Sequence, residues 1–283
     1  RDYKVTGVQT CALPIYTIHT INVMNRIDKL FQQKKENILS VFFTAGFPTL
    51  HDTVEIAKQL QSAGVDMIEI GIPFSDPIAD GPVIQQSSKQ AIDNGMTVTL
   101  LLEQVKEIRK TVSVPIILMG YLNPVMQYGM DRFFSDAVAA GVDGLILPDM
   151  PFEEFESHYK QEMDRLDLRN IFLISPTTSD DRIERIDQAS RGFIYAVSSS
   201  STTGSKNEFD ENQIRYFKRL KDKQLKNPFL IGFGISNKET FSAACQNGAG
   251  AIVGSAFIKV LSASKSIPND ILTFIKTLNS GIK

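Results

Sequence analysis

The sequence predicts an α/β fold, a (β/α)8 TIM barrel with an additional N-terminal helix. Three observations predict it. Eight short apolar runs of strand length recur along the chain, longer segments of helical spacing separate them, and no second composition regime interrupts the alternation. The 283-residue length suits one such barrel, a unit of about 250 residues.

The barrel reading begins after residue 23. Residues 1–23 lack the long apolar core and small-residue cleavage site of a secretory signal, so export is not supported and a cytoplasmic location is expected. The stretch VTGVQTCALPI at 5–15 reads like the in-frame translation of a sequencing-library adapter. On that reading 1–23 is a non-native leader, Met24 is the natural start, and 24–283 is one catalytic domain. An unusual native extension is the alternative.

An amphipathic helix is expected near residues 25–35. The strand candidates follow at 39–43, 67–71, 116–119, 144–147, 171–174, 193–197, 229–231 and 251–253. They are continuous apolar runs, as parallel strands covered on both faces should be. Between them lie patterns such as TVEIAKQLQSAG (53–64), MDRFFSDAVAAG (130–141) and KETFSAACQNGAG (238–250), each closing on glycine as helix ends commonly do. Closure of the sheet is not written in such a pattern, and an open doubly wound sheet is the alternative.

Charge and composition remove several function classes. A net charge of −2 with no run of five like charges gives nothing to attract nucleic-acid phosphates or anionic lipid. Cys11 and Cys245 form no CxxC, and His19, His51 and His158 lie in separate segments, so neither a disulfide framework nor a metal site is expected. No apolar run approaches the roughly 20 residues of a membrane-spanning helix.

In such barrels the active site lies at the C-terminal ends of the strands. The second strand, MIEIG, places Glu69 on one face with Met67 and Gly71, and Ile68 and Ile70 on the other. A carboxyl group inside a parallel strand must be protonated, paired or retained for function. The bland reading pairs it with a cation inside the barrel, but the strand candidates contain no basic residue. The next loop carries Asp76 and Asp80 among three prolines. Asp76 before Pro77 suits a turn, while Asp80 before Gly81 and Pro82 is either a helix N-cap or a catalytic acid. Glycine loops end three later strands: SSSSTTGS (198–205), GFGIS (232–236) and GSAF (254–257). They could cradle a phosphate at helix N-termini, or simply relieve crowding.

Six motifs carry a resemblance to one family: EIGIPFSDPIADGP (69–82), FFTAGFP (42–48), LMGYLNP (118–124), LPDMP (147–151), FGIS and GSA. Through them the chain closely resembles the α subunit of tryptophan synthase over essentially all of 24–283. The resemblance implies a carbon–carbon lyase that cleaves indole-3-glycerol phosphate to indole and glyceraldehyde 3-phosphate, without a cofactor in this subunit. It implies Glu69 and Asp80 as the catalytic pair, Tyr195 as an active-site tyrosine, and Phe42 and Tyr121 as indole-pocket residues. It places Gly204, Phe233, Gly234, Gly254 and Ser255 at the phosphate. The loop after the sixth strand departs from the commoner family pattern, although Thr203 and Gly204 are retained. The implied partner is a pyridoxal-phosphate β subunit in an α2β2 heterotetramer, facing residues 73–80, Asn123, Pro124 and Pro151. Competing readings are another phosphate-binding barrel enzyme, such as indole-glycerol-phosphate synthase or phosphoribosylanthranilate isomerase, a catalytically silent barrel that only activates a β subunit, and a freestanding lyase.

Overall fold

The computed structural model describes residues 24–198 and 209–279. The leader at 1–23, and Thr203 and Gly204, therefore lie outside the described residues. All strands are parallel: β1 (Ile38–Thr44), β2 (Met67–Gly71), β3 (Ile116–Met119), β4 (Gly144–Ile146), β5 (Arg169–Asn170), β6 (Leu173–Ile174), β7 (Ile194–Val197), β8 (Phe229–Gly232) and β9 (Gly250–Val253). Their order in the sheet is β5-β4-β3-β2-β1-β9-β8-β7-β6.

The two edges of that order are halves of one extended stretch. β5 pairs with β4, β6 pairs with β7, and only Ile171 and Phe172 stand between them. Ile171 N donates to Leu145 O at 2.9 Å, and Phe172 O accepts from Tyr195 N at 2.9 Å. The ring closes through this stretch, which removes the open-sheet alternative. The fifth strand thus starts two residues earlier than the apolar run at 171–174 and is broken in its middle. Its opening pair is polar, and Arg169 is buried because Asp28 and Asp167 bind its guanidinium. A reading based on apolar runs overlooks a strand that starts with a neutralised charge.

Helices alternate with the strands as expected. α1 is Arg26–Gln33, α2 Asp52–Ser62, α3 Pro82–Asp93, α4 Val98–Ile108, α5 Leu122–Tyr128 and α6 Met130–Ala140. Then come α7 (Phe152–Glu154), a π-helical turn (Phe155–Tyr159), α8 (Lys160–Arg165), α9 (Asp180–Ala189), α10 (Glu211–Asp222), α11 (Lys238–Asn247), α12 (Ser255–Ala263) and α13 (Ile267–Asn279). No helix among the described residues is long and apolar enough to cross a membrane.

Strand alternation divides the core into two shells. One packs the outer strand faces, including Ile68, Ile70 and Leu118, against the helices. The other fills the lumen with Ile38, Met67, Ile117, Ile146, Ile171, Phe193, Tyr195, Leu230 and Ile252. The additional helix α1 plugs the N-terminal end of that lumen. Its Ile27 and Phe31, four residues apart on one face, join the lumen cluster, and Phe31 lies 5.7 Å from the Phe193 ring. Asn25 caps α1 by accepting from Ile27 N, and its amide donates to the carbonyls of Asp143 and Asp167. The floor is closed, so chemistry is confined to the opposite end.

Candidate active site

Glu69 occupies the middle of β2, in register with Phe42 on β1 and Ile117 on β3. Met67, two residues before it, belongs to the lumen cluster, whereas Ile68 and Ile70 belong to the outer shell. Alternation therefore points the Glu69 carboxyl into the lumen. The side chain is wholly buried: Oε1 accepts from Ser40 Oγ at 2.7 Å, and Oε2 has no hydrogen-bond partner among the described residues. Burial pushes its pKa up to about 7, against a smaller lowering by the serine hydroxyl. The alternative of a buried ion pair is not what the lumen contains.

Asp80 arrives from the loop that follows β2. Gly81 stands at the N-cap of α3 with Pro82 as the first helical residue, and no side chain caps that end. Asp80 is therefore free of capping duty. Its Oδ2 instead accepts from the Tyr121 hydroxyl at 3.2 Å, and burial raises its pKa to about 6, with Tyr121 opposing. The same tyrosine oxygen accepts from Ala79 N at 3.0 Å, and its ring lies 5.2 Å from that of Phe74. Burial and the Asp80 charge push the Tyr121 hydroxyl up to about 12, so it stays protonated. The phenol thus fastens the Asp80 loop at two points, Ala79 and Asp80.

Glu69 and Asp80 both line a cavity of about 620 Å³ at the C-terminal ends of the strands. Phe42, Met119, Tyr195 and Ile252 contribute to its walls, as do Phe233, Gly234, Gly254 and Ser255; Gly254 lies against Phe42, and the Phe233 ring is 6.3 Å from that of Tyr195. Two strand-end glycines make room for the rings. A Cβ on Gly71 would meet the Phe42 ring at 2.7 Å, and one on Gly232 would overlap the Tyr195 hydroxyl. Burial, then the nearby carboxylates of Glu69 and Asp80, hold the Tyr195 hydroxyl far above its ordinary pKa. It too remains a neutral phenol.

The glycine loops shape the rest of the wall. Phe233 and Gly234 adopt left-handed φ values of 68° and 78°, and the Phe233 carbonyl accepts from Ser198 Oγ at 2.7 Å. α12 begins at Ser255 behind Gly254, with no side-chain cap and no acid in its first turn. Its first amides therefore lack helical acceptors where the cavity begins. Thr203 and Gly204, expected at this end, lie outside the described residues.

Ser40, Ser198, Met119, Ile252 and Lys259 are among the cavity or contact residues that sequence reasoning missed. Ser40 had a legible signal, a lone hydroxyl inside the apolar run ILSVFF. Ser198 was present within the serine run but not distinguished from it. Among the described residues no group of three or more His, Cys, Asp or Glu side chains is placed to hold a metal ion.

Comparison with known proteins agrees with this architecture. The family model for the tryptophan synthase alpha chain matches residues 29–282. The alpha chain of Flavobacterium psychrophilum is 56% identical over 238 residues, covering 84% of this chain and 94% of that protein. That of Parabacteroides distasonis is 55% identical, covering 84% and 93%. The crystal structure of the tryptophan synthase alpha subunit from Legionella pneumophila superposes with a TM-score of 0.83 at 36% identity, covering 92% of this chain and 99% of that one. With a closed barrel, a buried glutamate in the second strand and a family match over nearly its whole length, this chain belongs to the tryptophan synthase alpha chain family.

Proposed function

We propose that the chain cleaves indole-3-glycerol phosphate by a retro-aldol reaction, with Glu69 as proton donor and Asp80 as its electrostatic partner. The observation that carries this reading is a protonatable, wholly buried carboxyl group facing the same cavity as a second carboxylate of lower pKa. The order of the two values matters. Burial raises both carboxyl pKa values toward neutrality, and the wholly buried Glu69 more than the partly buried Asp80, which favours Glu69 as the protonated partner.

The chemistry needs that arrangement. Indole leaves poorly as a carbanion, so its C3 must first take a proton, which Glu69 supplies. The ring becomes an indoleninium cation whose N–H hydrogen-bonds to ionised Asp80, and Asp80 offsets the positive charge. The adjacent side-chain hydroxyl then loses its proton to the Glu69 carboxylate. A carbonyl forms as the C–C bond breaks, and the bonding pair returns to the ring and restores its aromaticity. Indole and glyceraldehyde 3-phosphate result, and Glu69 ends protonated. The acid–base pair accounts for every proton, so this subunit needs no cofactor for the reaction.

Phe42 and Tyr195 would hold the indole, with Tyr121 fixing Asp80. Phe233, Gly234, Gly254 and Ser255, together with Thr203 and Gly204, would receive the phosphate, whose charge suits the uncapped start of α12. Family membership implies partnership with a β subunit. The finer reading is an α2β2 heterotetramer in which a pyridoxal-phosphate β subunit receives the indole. Exposed Ile78 and Met126, beside residues 73–80 and Asn123–Pro124, suit such a contact. Indole is small and apolar enough to cross membranes, which gives a physical reason to hand it over directly. The deciding experiment mixes the purified chain with indole-3-glycerol phosphate, with and without a β subunit, and measures indole. Release that rises with the β subunit supports the whole reading. Release unaffected by it supports a freestanding lyase, and no release in either case rejects the activity.

A further inference from the structure

Ser40 is a buried polar residue in a place where packing asks for none. Alternation along β1 puts it on the lumen face with Ile38, whereas Leu39, Val41 and Phe43 belong to the outer shell. Its neighbours in register are Met67 on β2 and Ile252 on β9, both lumen residues, and none of its surface is exposed. A hydroxyl in such surroundings costs free energy unless it is hydrogen-bonded. Phe42 pairs with Glu69 and Ser40 with Met67, so Ser40 and Glu69 are diagonal neighbours on one face of the sheet. The hydroxyl donates to Glu69 Oε1 at 2.7 Å and has no other hydrogen-bond partner among the described residues.

We infer that Ser40 is a positioning residue for the lyase reaction, its hydroxyl anchoring Glu69 Oε1 so that Oε2 is the oxygen that delivers and recovers the reacting proton. The inference rests on the lyase reading proposed above. A glutamate carboxyl at the end of a flexible side chain can present either oxygen, and the anchor removes that choice. In the neutral acid Oε1 is the carbonyl oxygen that accepts from Ser40, and the proton resides on Oε2, which is buried without a partner of its own among the described residues. A substrate carbon in the cavity that Glu69 lines then receives it. The Oε2–H bond breaks as the C3–H bond of the indole ring forms, and the later loss of the side-chain hydroxyl proton remakes Oε2–H. Ser40 keeps its own proton throughout. Its donation opposes the effect of burial on Glu69, so it also steadies the carboxylate that exists between the two transfers. Misplacing a reacting group by a fraction of its reach slows the chemical step without weakening the hold on substrate.

The test compares wild-type protein with Ser40→Ala, Ser40→Thr and Ser40→Val, measuring indole release from indole-3-glycerol phosphate with each protein at the pH of its own maximum, so that altered titration of Glu69 does not enter. Threonine and valine have the same shape and differ in the hydroxyl, and alanine removes the hydroxyl without adding bulk. For Ser40→Ala, kcat should fall about tenfold, the worth of one hydrogen bond to a charged group, while KM stays within about twofold, because Ser40 touches the acid and not the substrate. Ser40→Thr should exceed Ser40→Val in kcat by a similar factor. A kcat for Ser40→Ala within about twofold of wild type overturns the inference and leaves the lyase reading intact. Equal kcat values for the threonine and valine variants overturn it as well, since bulk and not the hydroxyl would then set the rate. So does a rise in KM at unchanged kcat, which would make Ser40 a contact for substrate. Wild-type protein that releases no indole removes both readings.

Discussion

At the floor of the barrel Asp143, 3% exposed, receives Arg26 Nη1 at 2.9 Å, Ile116 N at 2.8 Å and the Arg109 guanidinium. At the mouth Glu69, equally buried, receives one serine hydroxyl and leaves its second oxygen empty. Glu69 lies within β2 and Asp143 immediately before β4, two strands along the same sheet, and the two acids meet very different surroundings. The floor acid is surrounded by donors and cations, so its charge can serve as a fastener between α1, α4 and the strands. The mouth acid has no such compensation, and burial drives it toward the protonated form. A carboxyl group whose pKa lies near neutrality can give and take a proton.

The largest expected effect separates these two roles directly. Glu69→Gln keeps the shape of the side chain but removes its titratable proton, and indole release should fall by about 10³-fold or more, within the range of lost general acid catalysis. The fold should survive, because an amide carries no buried charge. Undiminished release by this variant would return Glu69 to a structural role. Asp143→Ala should do the reverse. It strands the nearly buried Arg109 guanidinium, and denaturant titration should show a loss of roughly 3–5 kcal/mol, with activity per folded molecule preserved. A fall in activity without a loss of stability would show that the floor is coupled to the chemistry.

A smaller effect comes from pH. Glu69 rises from 4.5 to about 7 on folding, so the folded chain binds the proton more tightly than the unfolded chain does. The penalty for ionising it is absent below about pH 4.5, grows between 4.5 and 7, and is complete above 7. Wild-type stability relative to Glu69→Gln should therefore decline across that window by roughly 3 kcal/mol, the equivalent of the shift. A difference that stays flat with pH would mean Glu69 titrates as if exposed, which breaks the contrast with Asp143.

Much of the mouth was legible in the sequence because it depends on period two and on the position of strand ends. Met67, Glu69 and Gly71 had to share a face, and a carboxyl group among apolar lumen neighbours had to be perturbed. The glycine loops were legible as close approaches, but not which partner each makes: at Gly71 and Gly232 it is an aromatic ring. Asp80 was ambiguous, since DGP at a helix start suits a cap equally well. Only the path of the loop, held by Tyr121, takes the side chain away from α3 and into the cavity. The floor was the less readable end. Arg169 and Asp143 are polar residues made compatible with burial by partners up to 141 residues away in sequence, and no local pattern reports such a match.

The finest probe of the contrast is Ser40, the one hydrogen-bond donor to Glu69 among the described residues. Its hydroxyl favours the carboxylate and so lowers the Glu69 pKa, opposing burial. The mechanism requires Asp80 ionised and Glu69 protonated, so kcat/KM should follow a bell, rising as Asp80 ionises near pH 6 and falling as Glu69 ionises near pH 7. Ser40→Ala removes the donor without adding a charge. The descending limb should move to higher pH by up to about one unit, the worth of a single hydrogen bond to a carboxylate, while the Asp80 limb stays in place. A shift of the alkaline limb in the opposite direction would mean that Ser40 accepts from a protonated Glu69 instead of donating to its anion. A shift of the acidic limb alone would assign the two limbs to the opposite residues, and with them the roles of acid and electrostatic partner.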